Sequence, residues 1–151
     1  MKQDKTTKLA QTLGQECIAM RIRLISRAIS RIYDDALRPH GLKSGQMSIL
    51  GVISLLGRAE PVEVCRILHL DASTLSRNVN RMRSKGWLDA SSVQDRRAHR
   101  LELTPEGDRI LQKAFPAWRK AQEKVGSMLG KNNTAAIGRI AGSLWRKSAA
   151  R

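Results

Sequence analysis

The sequence is short of aromatic side chains, of acidic ones and of cysteine, and each shortage removes a class of protein. Aromatics make up only 3% of the 151 residues, so any core must be built mainly from aliphatic side chains. The two cysteines, Cys17 and Cys65, are too few and too far apart to suggest a disulfide framework. The opening segment MKQDKTTKLAQTLGQ has no apolar signal-peptide core. No other stretch approaches the ~20 apolar residues of a membrane span. A cytoplasmic protein without a membrane association is expected. The chain also has no nucleophile elbow, no glycine-rich phosphate loop and no H-E-x-x-H, so neither an enzyme nor a cofactor is expected. Cys65 and His69 are one helical turn apart, yet nothing nearby completes a tetrahedral set and His40 and His99 fall in separate turns. No metal is expected.

What the chain does have is positive charge. It carries 28 Lys and Arg against 13 Asp and Glu, a formal net charge of +15. Such an excess implies an anionic partner, nucleic acid before an acidic membrane surface. The basic residues are spread along the chain rather than massed in a tail, which argues for a folded basic surface.

Periodicity gives the elements. The N-terminal third reads as one long helix, with Ile18, Ile22, Ile25, Ile29, Ile32 and Ala36 recurring in alternating steps of four and three. Pro39-His40-Gly41 ends it. Ser44 is the expected N-cap of a second helix carrying Met47, Leu50, Ile53 and Leu56, closed by Gly57. Pro61 suits the first turn of a short third helix through about Leu68, with Val64, Ile67 and Leu68 facing inward. Asp71 is the expected cap of a fourth, Ala72 to Lys85, stopped by Gly86. Two short helices across such a tight connection form a helix-turn-helix.

After Gly86 the period changes to that of strands. Trp87-Leu88 and His99 to Leu103 read as two arms of a hairpin with a charged tip, Gln94-Asp95-Arg96-Arg97. Thr104-Pro105 starts another helix, with Leu111, Ala114, Trp118, Ala121 and Val125 on one stripe. Asn132-Asn133-Thr134 is expected to break the chain before a last helix bearing Ile137, Ile140, Ala141 and Leu144. The fold class is therefore mainly α with a small β-wing: a winged helix-turn-helix lobe at 39–107, flanked by dimerisation helices at 1–38 and 108–151.

The fourth helix carries the chemistry of a DNA reader. With Leu75, Val79 and Met82 turned to the core, Ser73, Arg77, Asn80 and Ser84 fall roughly opposite, with Arg81 beside them. No acidic residue lies between Asp71 and Asp89. Arg77 suits a bidentate contact to guanine, and Asn78 or Asn80 a pairing with adenine. Ser73, Thr74 and Ser76, near the helix start, suit phosphate oxygens or early base contacts. At the hairpin tip, Arg96 and Arg97 suit a minor groove or the phosphates, with Asp95 pairing to a basic neighbour and stiffening the wing. The expected partner is double-stranded DNA. The competing reading is an architectural nucleic-acid binder that uses charge without sequence choice.

The terminal helices point to a second copy of the chain. An apolar seam from Ile18 to Ala36, plus stripes on two C-terminal helices, exceeds what a small winged-helix core covers. A lone chain would expose more apolar surface than monomers tolerate.

In this order the elements resemble the MarR family of bacterial transcriptional regulators, from about Cys17 to Leu144. The most specific part is LDASTLSRNVNRMRSKGWL followed by DRRAHRLELTPEG, similar to the family's recognition helix, wing and following helix start. Upstream, LRPHGLKSGQMSIL is similar to its turn into the second helix. The resemblance implies a homodimer with interlocked terminal helices, bound to a pseudo-palindromic operator. It places Arg77 at a recognition-helix arginine and Arg97 at the wing arginine, with Asp95 its acidic partner. It also implies a small anionic or aromatic effector, held between the terminal-helix bundle and the DNA-binding lobe. Arg83 and Ala90 depart from the family's usual acidic and basic residues, and the wing lacks a second acid before Asp95. Some relatives sense peroxide through a cysteine in the first helix, where Cys17 lies, and a redox-sensing regulator is the further alternative. A sensing cysteine needs a stabilised thiolate. Tyr33 lies too far along the same helix to supply that support within one subunit, and a plain buried cysteine is the favoured reading.

Overall fold

The structure, a computed structural model, describes residues 2–92 and 99–149. Seven α-helices and one hairpin are found among them. They are α1 (Lys2–Glu16), α2 (Ile18–Leu37), a 3-10 turn (Arg38–His40), α3 (Ser44–Leu56), α4 (Pro61–Leu68), α5 (Ala72–Ser84), β1 (Leu88–Ser92), β2 (His99–Leu103), α6 (Pro105–Leu129) and α7 (Lys131–Ala149). The strands pair antiparallel, with Leu88 opposite Leu103 and Asp89 opposite Glu102. This is a winged helix-turn-helix with helical extensions at both ends.

The expected single N-terminal helix is two helices. Cys17, expected inside the first helix, instead takes an extended ψ of 103° and stands at the N-cap of α2. Leu9 and Leu13 before the break and Ile18 after it are all exposed, at 59, 61 and 74%.

Three further expectations change. Ser44 is the first residue of α3 rather than its cap, since the cap position is Lys43. The Ser44 N–H donates 2.7 Å to Asp34 Oδ1 of α2, and the Lys43 N–H donates 3.1 Å to Gln46 Oε1. The α3 terminus is thus capped partly from another helix. Leu56, expected inward, is exposed at the end of α3. The break before the last helix lies at Gly130 (φ 80°, ψ 158°), while Asn132, Asn133 and Thr134 are within α7. Asn133 Nδ2 and Thr134 Oγ1 donate back to the Leu129 and Gly130 carbonyls, at 2.8 and 2.9 Å. Side chains that favour turns are tolerated here because they bond the preceding turn.

The main core lies in the central lobe, and it is aliphatic as the composition requires. Ile49, Leu50 and Ile53 of α3, Val64 of α4, Leu75 and Met82 of α5, and Leu88 and Leu101 of the hairpin are buried together. Trp87 is its largest buried aromatic side chain. Ala59 adds a third, one-residue strand, exchanging hydrogen bonds with Leu101 at 3.0 and 2.8 Å. It fastens the loop before α4 to the free edge of β2.

Outside this lobe, α2 packs along α6, and the Tyr33 hydroxyl donates to Gln122. Half of the expected α2 seam finds no cover among the described residues. Ile18, Ile22 and Ile25 are 74, 60 and 41% exposed. On α7, Ile137, Ile140 and Leu144 are exposed as well.

Candidate nucleic-acid interface

The helix-turn-helix is built by local chemistry at each joint. Pro61 occupies the first turn of α4, where its missing N–H costs nothing. The Glu63 carboxylate returns to accept from the Glu60 N–H at 2.8 Å. α4 ends at His69, whose φ of 51° makes it the one non-glycine residue with positive φ among the described residues. Histidine visits this left-handed region more readily than most side chains. The Leu70 N–H then closes the turn onto the Cys65 carbonyl at 2.9 Å.

Asp71 caps α5 with both carboxylate oxygens. Oδ1 accepts from the Ser73 hydroxyl at 2.6 Å and the Thr74 N–H at 2.7 Å, and Oδ2 accepts from the Thr74 hydroxyl at 2.8 Å. The Ser73 hydroxyl and the two Thr74 donors together hold the Asp71 carboxyl well below the usual carboxylate range. The negative charge at the start of α5 is therefore supplied by the chain itself.

Leu75, Val79 and Met82 are buried, which fixes the rotation of α5. Ser73, Ser76, Arg77, Asn80, Arg81 and Ser84 are exposed on the outer side, and Thr74 and Asn78 are half-buried. The structure thus gathers the sequence-selected residues on one ridge, but not all in the same state. Asn78 Nδ2 donates to the Thr74 carbonyl at 2.9 Å, so its amide is committed to the helix backbone. Ser73 and Thr74 have their hydroxyl protons on Asp71 and present acceptors outward. Arg77 lies along the same turn, with Nη2 3.3 Å from Thr74 Oγ1. Ser76, Arg77, Asn80 and Arg81 are left as the residues able to donate.

Arg96 and Arg97, with Gln94 and Asp95, lie outside the described residues. At the wing base, basic residues that the sequence reading passed over are paired. Arg58 meets Glu102, and Arg100 lies 3.8 Å from Glu60. A cavity of about 720 Å³ opens beside the ridge, lined by Pro61, Val62, Ser76, Asn80, Arg83 and Leu101 among others. Only the fold places α4, α5 and β2 around it, and no short motif announces it.

Both cysteines are free and half-buried. Burial pushes the Cys65 thiol up, and the Asp71 charge adds to the shift, so the thiolate is disfavoured there. No group of three or more potential metal ligands occurs among the described residues. No described helix is long and apolar enough to cross a membrane.

Comparison with known proteins agrees with this geometry. Residues 40–98 match the model of the MarR family. The multiple antibiotic resistance protein MarR of Salmonella typhimurium is 27% identical over 115 residues, covering 76% of this chain and 78% of its own. An HTH-type transcriptional regulator of Bacillus subtilis, YwoH, is 26% identical over 100 residues, covering 66% of this chain and 73% of its own. Among solved structures, the Mycobacterium tuberculosis transcriptional regulator MosR in complex with DNA is 35% identical, covers 90% of this chain and 99% of its own, and superposes with a TM-score of 0.75. A mutant Escherichia coli MarR complexed with operator DNA gives the same TM-score at 20% identity, covering 88% of this chain and 96% of its own. With the family match over residues 40–98, the likeness to MarR itself and 35% identity to a transcriptional regulator over 90% of its length, the chain belongs to the MarR family of winged helix-turn-helix transcriptional regulators.

Proposed function

We propose that the chain is a homodimeric, sequence-specific DNA-binding repressor of the cytoplasm whose DNA affinity responds to a small-molecule effector. The observation that carries this reading is the outer ridge of α5. It exposes Ser76, Arg77, Asn80 and Arg81 while the helix from Ala72 to Ser84 contains no acidic residue. An ordinary solvated helix face mixes both signs, whereas amides, hydroxyls and guanidiniums together match base edges and phosphates. Arg77 and Asn80 are the base readers in this proposal. Arg81 takes phosphate, and Arg96 and Arg97 extend the contact along the groove from the wing. Ser73 and Thr74 contact phosphate only by turning their hydroxyls away from Asp71.

The dimer reading rests on the exposed Ile18, Ile22 and Ile25 of α2 and on Ile137, Ile140 and Leu144 of α7. Terminal helices 1–38 and 108–151 hold two lobes of 39–107 so that paired α5 helices meet successive major grooves, about 34 Å apart. Selection of bound sequences from a random duplex pool tests reader and symmetry together. The expected product is a two-fold-symmetric motif, preferred over random duplex by roughly 10³-fold or more. Equal binding to both would replace the regulator with an architectural nucleic-acid binder.

A further inference from the structure

The positive charge of the chain is unevenly placed. Of the 28 Lys and Arg, 18 lie in the terminal segments 1–38 and 108–151, together with only 6 of the 13 Asp and Glu. The lobe 39–107, which carries the α5 ridge, holds the remaining 10 against 7. Most of the net charge therefore lies outside the lobe that would read DNA. The imbalance is greatest at the end of the chain, where no acidic residue follows Glu123. That acid-free run is longer than the one on α5 and includes the whole of α7.

Packing fixes where these cations point. The end of α7 is seated on α4, with Ser148 buried and its Oγ 3.2 Å from His69 Nε2. Arg139 and Arg146 lie roughly 160–180° round α7 from Ser148, away from the helix-turn-helix. They are also about 100° or more from the exposed Ile137, Ile140 and Leu144, so the dimer contact proposed above leaves them uncovered. On α6, Ala114, Ala121 and Val125 are buried, and Lys113, Lys120 and Lys124 form a strip centred roughly 100° away. All five cations are exposed, and none forms an ion pair with a described residue. Around the two arginines the α7 face carries only Asn132, Ala135, Gly142 and Ser143. A lipid surface calls for large apolar side chains beside the cations, and a single strand calls for aromatic stacking platforms. Duplex phosphates call for cations alone.

We propose that the outer faces of α6 and α7 hold a second DNA duplex by its phosphates, without sequence choice, while the α5 ridge reads the first. One molecule then bridges two DNA segments. The bridging rests on the DNA-reading proposal above; phosphate binding by these faces does not.

Operator duplex from the selection is fixed to beads and loaded with full-length protein, so that the α5 ridges are occupied. A fluorescent random duplex is then added at low salt. The expected result is capture of the second duplex, reversed by raising the salt. The combined variant Lys113→Gln, Lys120→Gln, Lys124→Gln, Arg139→Gln and Arg146→Gln is expected to capture at least tenfold less at equal operator loading. Should it fail to fold, Arg139→Gln with Arg146→Gln is expected to cut capture at least threefold. No captured duplex, or undiminished capture by a folded variant, overturns the proposal. So does loss of operator loading in step with capture, which would put these faces and the ridge on one duplex. Fluorescence anisotropy on random duplex separates this proposal from the reader. Added to Arg77→Ala and Arg81→Ala, the glutamine substitutions are expected to weaken binding at least tenfold further, and an unchanged affinity overturns the second surface. Selection that yields no motif alongside that further loss removes only the reader.

Discussion

The Lys85 ammonium donates to the Gly41 carbonyl at 2.6 Å, across 44 residues of sequence. It also lies 4.4 Å from the Trp87 ring centroid. One side chain thus ties the end of α5 to the turn that follows α2, and rests on the tryptophan that leads into the wing. Gly41 takes a left-handed φ of 67°, which holds its carbonyl in that turn. Lys85→Met is expected to lower stability by about 1 kcal/mol, as an exposed cation–π contact and one charge-assisted bond together suggest. Urea unfolding reads this as a lower midpoint at unchanged slope. An unchanged midpoint would show the tie to be idle.

The tightest backbone approach lies one joint further on. A Cβ built on Gly107 falls 2.1 Å from the Trp87 carbonyl oxygen. That oxygen is already held by the Thr104 N–H at 3.1 Å, so it has little room to retreat. Gly107→Ala should cost about 3 kcal/mol, at the upper end of ordinary overpacking. Gly51, exposed within α3 with nothing within 4 Å, should behave oppositely. Gly51→Ala is expected to stabilise by about 0.5–1 kcal/mol. Urea midpoints of the two variants should move in opposite directions.

Acid should find the α5 cap. The Asp71 carboxyl is held below its ordinary range by Ser73 and Thr74, so folding stabilises its charged form. Its contribution is present in full above the ordinary carboxylate pKa of ~4 and is lost as pH falls toward the depressed folded value. Asp71→Ala should therefore be less stable than the parent at neutral pH. Thermal midpoints taken from pH 7 downward should converge only below about pH 4. Convergence already at pH 6 would assign the effect to another group.

The second copy is tested at Ile22, 60% exposed in the middle of the α2 seam. Ile22→Glu is expected to convert the proposed dimer into monomers by sedimentation velocity, with far-UV circular dichroism showing the helices retained. Dimers of unchanged affinity would move the interface elsewhere.

At the proposed reading ridge, Arg77→Ala should cost about 1–3 kcal/mol on the selected duplex and relax the preference at one base pair in each half-site. Arg81→Ala should weaken all sequences alike and reduce the salt slope by about one. Measuring both on selected and random duplexes across a salt series distinguishes base reading from phosphate contact.

The sequence alone determined the parts of this protein whose causes lie within a turn of chain. Pro61, Asp71, Gly86, Thr104 and Pro105 each act through a cap or a dihedral preference on neighbours a few residues away. The bounds of α4, the start of α5 and the start of α6 could therefore be read directly, and α5 ended within a residue of its expected limit. The side-chain period of α5 likewise fixed which residues are buried and which are presented, because the same rotation serves the core and the ridge. Tertiary structure decided what depends on distant partners. It brought Asp34 to the Ser44 N–H, Ala59 to Leu101, and Ser148 to His69 across 79 residues. The last break lies at Gly130 rather than at the Asn132-Asn133-Thr134 run. Bonds of that kind depend on which helices come to lie together, and packing over the whole lobe sets that. Local sequence set which face of α5 is exposed; the packed chain selected which side chains on that face are free to donate.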